Sequence, residues 1–278
     1  MELLEKYGVF CLILLLVGCK ETIIIEEDKT NKILHIAHTR GRADGFIEEA
    51  IRKVDFEAYA VLCLGGDIDG FTSESETTMQ VWDELFSFGK ASTLWTLGNH
   101  DIDNRALVEQ YTQRPSFYTW NYKAINFLVL DDQLDRSNII GEQLNLVETV
   151  ADTIAAADYL IVLTHNLLWM YDHPILEPMI DSVSNGRVGN CSFCIKPNNF
   201  YPDIYPQLLK VKAKGIEVYC IAGDLGLKTK EFAFTTEEGI HFLASGIDFG
   251  QDGNKALILE LTETPTDLVW YFEDLENL

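Results

Sequence analysis

The feature that most constrains this chain is where its apolar runs stop. Short runs rich in β-branched residues recur at 32–37 (KILHIA), 59–64 (YAVLCL), 92–97 (STLWTL), 125–130 (INFLVL), 159–163 (YLIVL) and 218–222 (VYCIA). Each has the length and composition of a strand buried on both faces. Five of them end directly in polar or glycine-containing segments: His38-Thr39-Arg40, Gly65-Gly66-Asp67-Ile68-Asp69-Gly70, Gly98-Asn99-His100-Asp101, Thr164-His165-Asn166 and Gly223-Asp224-Leu225-Gly226. In open α/β sheets ligands bind beyond the carboxyl ends of strands, where loops from several strands converge. One such ending would mean little. Five in succession describe a single site, with glycines that let backbone approach a ligand closely.

Helical patterns at 74–88, 142–157 and 201–214 separate several of these runs, and the alternation predicts a layered α/β fold. Toward the end the pattern changes to strands alone at 240–244, 255–261 and 267–272, which predicts an antiparallel finish to a sheet. With 278 residues, the stretch 32–278 is expected to form a single layered domain. The net charge of −23, from 21 Lys plus Arg against 44 Asp plus Glu, repels polyanions and argues against nucleic acid as a partner.

The N-terminus carries a different signal. Residues 8–17 form a continuous apolar run, too short to cross a bilayer as a helix but suited to the core of a signal peptide. The run leads into Leu16-Val17-Gly18-Cys19, which resembles a bacterial lipobox and implies lipidation at Cys19. The expected organisation is a signal peptide over 1–19 and an acidic spacer over 20–31, with export and lipid anchoring to the periplasmic or cell-surface face of a bacterial membrane. Glu2 and Glu5 against Lys6 depart from the usual basic leader, and a buried N-terminal helix is the alternative. Cys191 and Cys194 suit a small loop disulfide, with a redox pair or half a zinc site as alternatives. Cys63 and Cys220 lie in apolar runs and read as inert core residues.

In order and spacing, the strand ends resemble the motifs of the calcineurin-like metallophosphoesterases: DxH, GDxxD, GNH(D/E), a lone His and GHxH. The resemblance runs from residue 32 to the C-terminus, and Gly98-Asn99-His100-Asp101 is its most specific element. It implies an α/β/β/α sandwich with a mixed central sheet and a centre where metals activate water and neutralise phosphoryl charge. Asp67, Asn99 and His165 match one metal site of the family. Asp224, standing for the first His of the fifth motif, adds an oxygen ligand suited to harder cations. The other site is dismantled, because His38, Arg40 and Gly226 stand where the family has Asp, His and His. His38 is the one candidate ligand left there. Arg40 cannot ligate a cation; it either fills the missing metal's place and holds phosphate, or pairs with Asp67 or Asp69. By the same resemblance His100 is the proton donor to the leaving group and Asp101 the carboxylate that orients it.

The expected cofactor is therefore one divalent ion, with Mn, Mg, Fe, Zn and Ca undistinguished. The expected activity is hydrolysis of a phosphomonoester or phosphodiester, with His100, Asp101 and Arg40 as the catalytic group. The alternative is a catalytically silent lipoprotein that binds a phosphorylated or sulfated small molecule or glycan. The 167–200 segment, with Trp169, Tyr171 and Arg187, is expected to cover the site.

Overall fold

A computed structural model describes residues 30–40, 47–191, 193–263 and 266–278. The expected signal peptide, Cys19 and nearly all of the acidic spacer lie outside these residues. The spacer's last two residues already belong to a strand, since β1 spans Thr30–Ile36. Among the described residues no helix is long and apolar enough to cross a membrane.

The strands that follow are β2 (Tyr59–Leu64), β3 (Thr93–Trp95), β4 (Tyr118–Tyr122), β5 (Ile125–Val129), β6 (Tyr159–Thr164), β7 (Glu217–Ala222), β8 (Glu231–Thr235), β9 (Ile240–Ser245), β10 (Lys255–Glu263) and β11 (Thr266–Asp274). They form two mixed sheets, ordered β11-β10-β1-β2-β3 and β4-β5-β6-β7-β9-β8. In the first, β1, β2 and β3 run parallel, and β10 and β11 complete it antiparallel, as the C-terminal pattern predicts. In the second, β5, β6, β7 and β9 run parallel, and the antiparallel β4 and β8 close its edges. Those two edge strands escape a search for continuous apolar runs. Their residues alternate in exposure, because an edge strand of this kind is only half covered.

The period of two along each strand sorts side chains between layers. Ile33, Val61 and Cys63 point between the sheets and meet Phe127, Val129, Ile161, Leu163 and Ile221. Leu34, Ile36, Leu62 and Leu64 point outward and are covered by α1 (Glu49–Lys53), α2 (Glu76–Phe86) and α3 (Arg105–Thr112). The outer face of the second sheet packs against α4 (Glu142–Thr153), α5 (Ile180–Val183) and α6 (Tyr205–Lys212). The resulting α/β/β/α sandwich, built on two mixed sheets, is the expected fold.

Local chemistry sets the helix that braces the site loops. The Ser75 hydroxyl caps α2 by accepting from Thr78 N, and Met79, Trp82 and Phe86 fall on its buried face. The Trp82 indole N–H donates to Asp69 Oδ2 at 3.0 Å, which ties the helix to the loop after β2.

His35 sits inside the sandwich, 1% exposed, with Nδ1 against Ser245 Oγ at 2.9 Å. Burial drives its pKa down from 6.5 to about 3, so it stays neutral in the folded chain where the unfolded chain takes a proton. Its contribution is fully present above the unfolded value and is lost as pH falls. Stability should decline by about 1.4 kcal/mol per pH unit from this residue alone between pH 6.5 and about 3. Urea unfolding of His35→Leu over that range should show an acid limb shallower by one proton; parallel limbs would contradict the assignment.

Candidate functional site

The five polar strand ends meet at one edge of the sandwich, and glycine makes the meeting possible. Gly65 follows β2 in one sheet and Gly223 follows β7 in the other. A Cβ on Gly223 would lie 2.0 Å from Gly65 O, and one on Gly65 would lie 2.9 Å from Gly223 Cα. A Cβ on Gly98 would stand 2.2 Å from Asp67 Oδ1. His38 and Asp67 are held at φ 55° and 53°, in the left-handed region that costs a side-chain-bearing residue about 1–2 kcal/mol. The surrounding bonds hold them there: His38 N donates to Gly66 O at 2.9 Å, and Asp67 N donates to Asp101 Oδ2 at 2.7 Å.

Asp101 has a different task from the expected one. Its Oδ2 accepts from Asp67 N and Gly98 N, and its Oδ1 accepts from Ile68 N and the Thr72 hydroxyl. The carboxylate is a fully buried clasp for the Asp67 loop, and burial together with the Asp67 charge pushes its pKa up to about 6. His100 is oriented instead by the Gly70 carbonyl, which engages Nδ1 at 2.7 Å. The physical reason is competition: four donors already saturate the Asp101 oxygens.

His165 is the most telling side chain of the site. It is 0% exposed, its Nδ1 is fixed on Gly65 O at 2.8 Å, and its Nε2 is buried without a hydrogen-bond partner. Asp67 Oδ1 lies 3.7 Å from that nitrogen. Burial opposes a charge on His165, but the carboxylates of Asp67, Asp224 and Asp132 outweigh it and raise its pKa to about 9. On Asp67 burial also acts upward, and the fields of His165, His38 and His100 hold it below the usual carboxylate range. Burial raises Asp224, with His165 acting against the rise. The pocket thus calls for positive charge at His165 Nε2, from a proton or from a cation.

Asp132 was not visible as a site residue in the sequence. Its carboxylate accepts from Asn166 N at 2.7 Å and lies behind His165, and burial pushes it up to about 7. The Asp-Asp pair directly after the 125–130 run was the available signal.

On the open side lies a cleft of about 340 Å³, lined by His38, Arg40, Asp67, Asn99, His100 and Asp224 together with Asn185, Phe193 and Leu227. A larger groove of about 630 Å³, lined by residues between Asp172 and Val188, holds none of the motif residues, so the chemistry points to the smaller cleft. Arg40 Nη1 donates to His38 Nε2 at 3.3 Å, and His38 Nδ1 donates to Ile247 O at 2.8 Å. His38 is therefore neutral, consistent with burial lowering its pKa, and its ring lone pair is spent on Arg40. In this arrangement Nε2 faces Arg40, so His38 would serve as a ligand only with the guanidinium moved aside. Asp69, one of the alternative partners for Arg40, is occupied by Trp82 and Phe71 N.

The expected four-donor cage is not closed. Among the described residues no group of three or more His, Cys, Asp or Glu side chains stands at metal-binding spacing. What the site offers is the fully buried His165 beside Asp67, with Asp67, Asn99 and Asp224 lining the cleft. An orphaned buried imidazole nitrogen beside the Asp67 carboxylate suits a divalent cation.

The 167–200 segment reaches the cleft through residues other than those expected. Trp169 is buried and stacks on Phe242 in the core, with ring centroids 5.1 Å apart, and Arg187 faces the larger groove. Ser184 hydrogen-bonds Asp224 Oδ2, while Asn185 and Phe193 line the cleft itself. Cys191 and Cys194 are joined as a disulfide that closes the loop carrying Phe193. Cys63 and Cys220 are buried and unpaired, and burial pushes both thiols up, as inert core residues should behave.

If Asp101 is a backbone clasp, Asp101→Asn should leave N–H donors facing an amide N–H. Stability should fall by about 2–3 kcal/mol in denaturant unfolding. Unchanged stability would contradict the clasp.

The family model described as calcineurin-like phosphoesterase matches residues 32–198. No curated protein sequence matches the chain. Among solved structures, a dimetal phosphatase from Danio rerio has a TM-score of 0.52 at 12% identity, over 89% of this chain and 97% of that one. A phosphopantetheinyl hydrolase from Mycobacterium tuberculosis has a TM-score of 0.44 at 10% identity, over 78% and 89%. An NAD nucleotidase from Haemophilus influenzae has a TM-score of 0.42 at 11% identity, over 87% and 54%. At these identities the dimetal phosphatase shows likeness of fold alone. The family model spans more than half of the chain and agrees with the sandwich and its strand-end motifs: the chain belongs to the calcineurin-like phosphoesterase family.

Proposed function

We propose that this protein is a metal-dependent phosphoester hydrolase that works with one divalent ion, anchored at an exported membrane face through lipidated Cys19. The observation that carries the reading is His165 Nε2, buried and unpartnered 3.7 Å from Asp67 Oδ1. Asp67, His165, Asn99 and Asp224 would hold the ion, and their mostly oxygen character favours Mn²⁺, Mg²⁺ or Ca²⁺ over softer metals. Such an ion supplies Lewis-acid charge and lowers the pKa of bound water.

The chain's own residues do the remaining work. Arg40, fixed through one N–H on His38, keeps other N–H groups of its planar fork for phosphoryl oxygens, supplying a permanent positive charge where relatives carry a second ion. His100, held through Nδ1 by Gly70 O, has Nε2 left to give a proton to the departing oxygen. Both phosphomonoesters and phosphodiesters fit this arrangement. A second reading, a silent binder of phosphorylated or sulfated ligands, is favoured by the open donor set around His165.

Turnover of p-nitrophenyl phosphate and bis(p-nitrophenyl) phosphate by the full chain with Mn²⁺ separates the two. Hydrolysis should be abolished by chelation and by Asn99→Ala, and His100→Ala should lower kcat by about 10²–10⁴-fold. An unchanged rate in Asn99→Ala would sink the hydrolase; anion binding without turnover would establish the binder.

A further inference from the structure

The cleft has a polar floor and an apolar rim, and the rim comes from outside the family motifs. Phe193 and Leu227 line it and are 50% and 52% exposed, although both are large apolar side chains. Phe71, 51% exposed, stands edge-on to His100 with ring centroids 6.3 Å apart. Between rim and floor is Asn185. Its Oδ1 accepts from Leu227 N at 2.7 Å, which fixes the amide, and its Nδ2 is buried with no hydrogen-bond partner. A buried donor left unpaired costs about 1–3 kcal/mol, which a ligand oxygen can recover. Phe193 is held in place by its closed loop: Cys191 and Cys194 flank it, and Gly186 leaves room for Phe193 O, which a Cβ there would meet at 2.4 Å.

We infer that Asn185, Phe193 and Leu227 form a specificity subsite that selects phosphate esters whose organic part is apolar or planar close to phosphorus. Asn185 Nδ2 donates to an oxygen of the bound phosphoryl group, and the organic group packs on Phe193 and Leu227. This rests on the phosphoester reading of the cleft. It goes beyond that reading by naming the substrate class and the residues that choose it. Esters with small polar organic groups gain the Asn185 contact but not the apolar one.

Phosphonates test the subsite without turnover, since their P–C bond resists hydrolysis. Calorimetric binding of phenylphosphonate and methylphosphonate to the full chain with Mn²⁺ should favour the phenyl compound by about tenfold. Phe193→Ala should erase most of that preference while leaving methylphosphonate affinity unchanged. Asn185→Ala should weaken both about fivefold. Asn185→Asp, which keeps the acceptor for Leu227 N and removes the donor, should also weaken both in a chain that still unfolds cooperatively in urea. Equal affinities in the wild type, a preference that survives Phe193→Ala, wild-type affinities in Asn185→Ala, or no binding of either compound would each overturn the assignment. A phenyl preference in a chain that hydrolyses neither nitrophenyl ester would remove the hydrolase reading and leave the subsite standing.

Discussion

The contact between Gly65 and Gly223 is the constraint on which the site depends. Two sheets packed face to face would ordinarily keep their backbones about 10 Å apart. Here the chain leaves each sheet at a glycine, and the gap closes until a methyl group on Gly223 would lie 2.0 Å from the opposite carbonyl. His165, from the second sheet, then reaches across to Gly65 O in the first. That one hydrogen bond fixes the imidazole and directs Nε2 toward Asp67. Gly98 and the left-handed Asp67 complete the geometry, and the Asp101 clasp holds the strained loop.

Once these groups are together, electrostatics follows from burial. Asp67, Asp101, Asp132 and Asp224 are all buried around His165, in a chain that already carries a net charge of −23. Desolvation pushes three of them up, while the histidine fields keep Asp67 charged. A pocket of this kind favours a cation at its centre and is compatible with an anion only beside a fixed positive group. Arg40, which lines the cleft and donates to His38, is such a group.

Much of this was legible in the sequence, because strand ends and glycines are read by local rules. The sandwich, the motif residues converging on one cleft and the antiparallel finish all follow from short apolar runs and what terminates them. The edge strands β4 and β8 were not legible, since half-exposed strands lack the continuous apolar signature. The clasp formed by Asp101 is not legible, because three of its four donors come from backbone, which no residue pattern displays. The Asn185 and Phe193 contacts depend on how a long loop folds back, a long-range outcome that leaves no local trace. Trp169, expected over the site, fills the core beside Phe242 instead.

The most direct test of the central claim is the number of ions bound per chain. Elemental analysis of the full chain equilibrated with Mn²⁺ and then dialysed should give about one ion, and His165→Ala should give none. Two ions per chain would mean that Arg40 and His38 part to form a second metal position. No ion in the wild type would contradict a metal centre at His165 altogether.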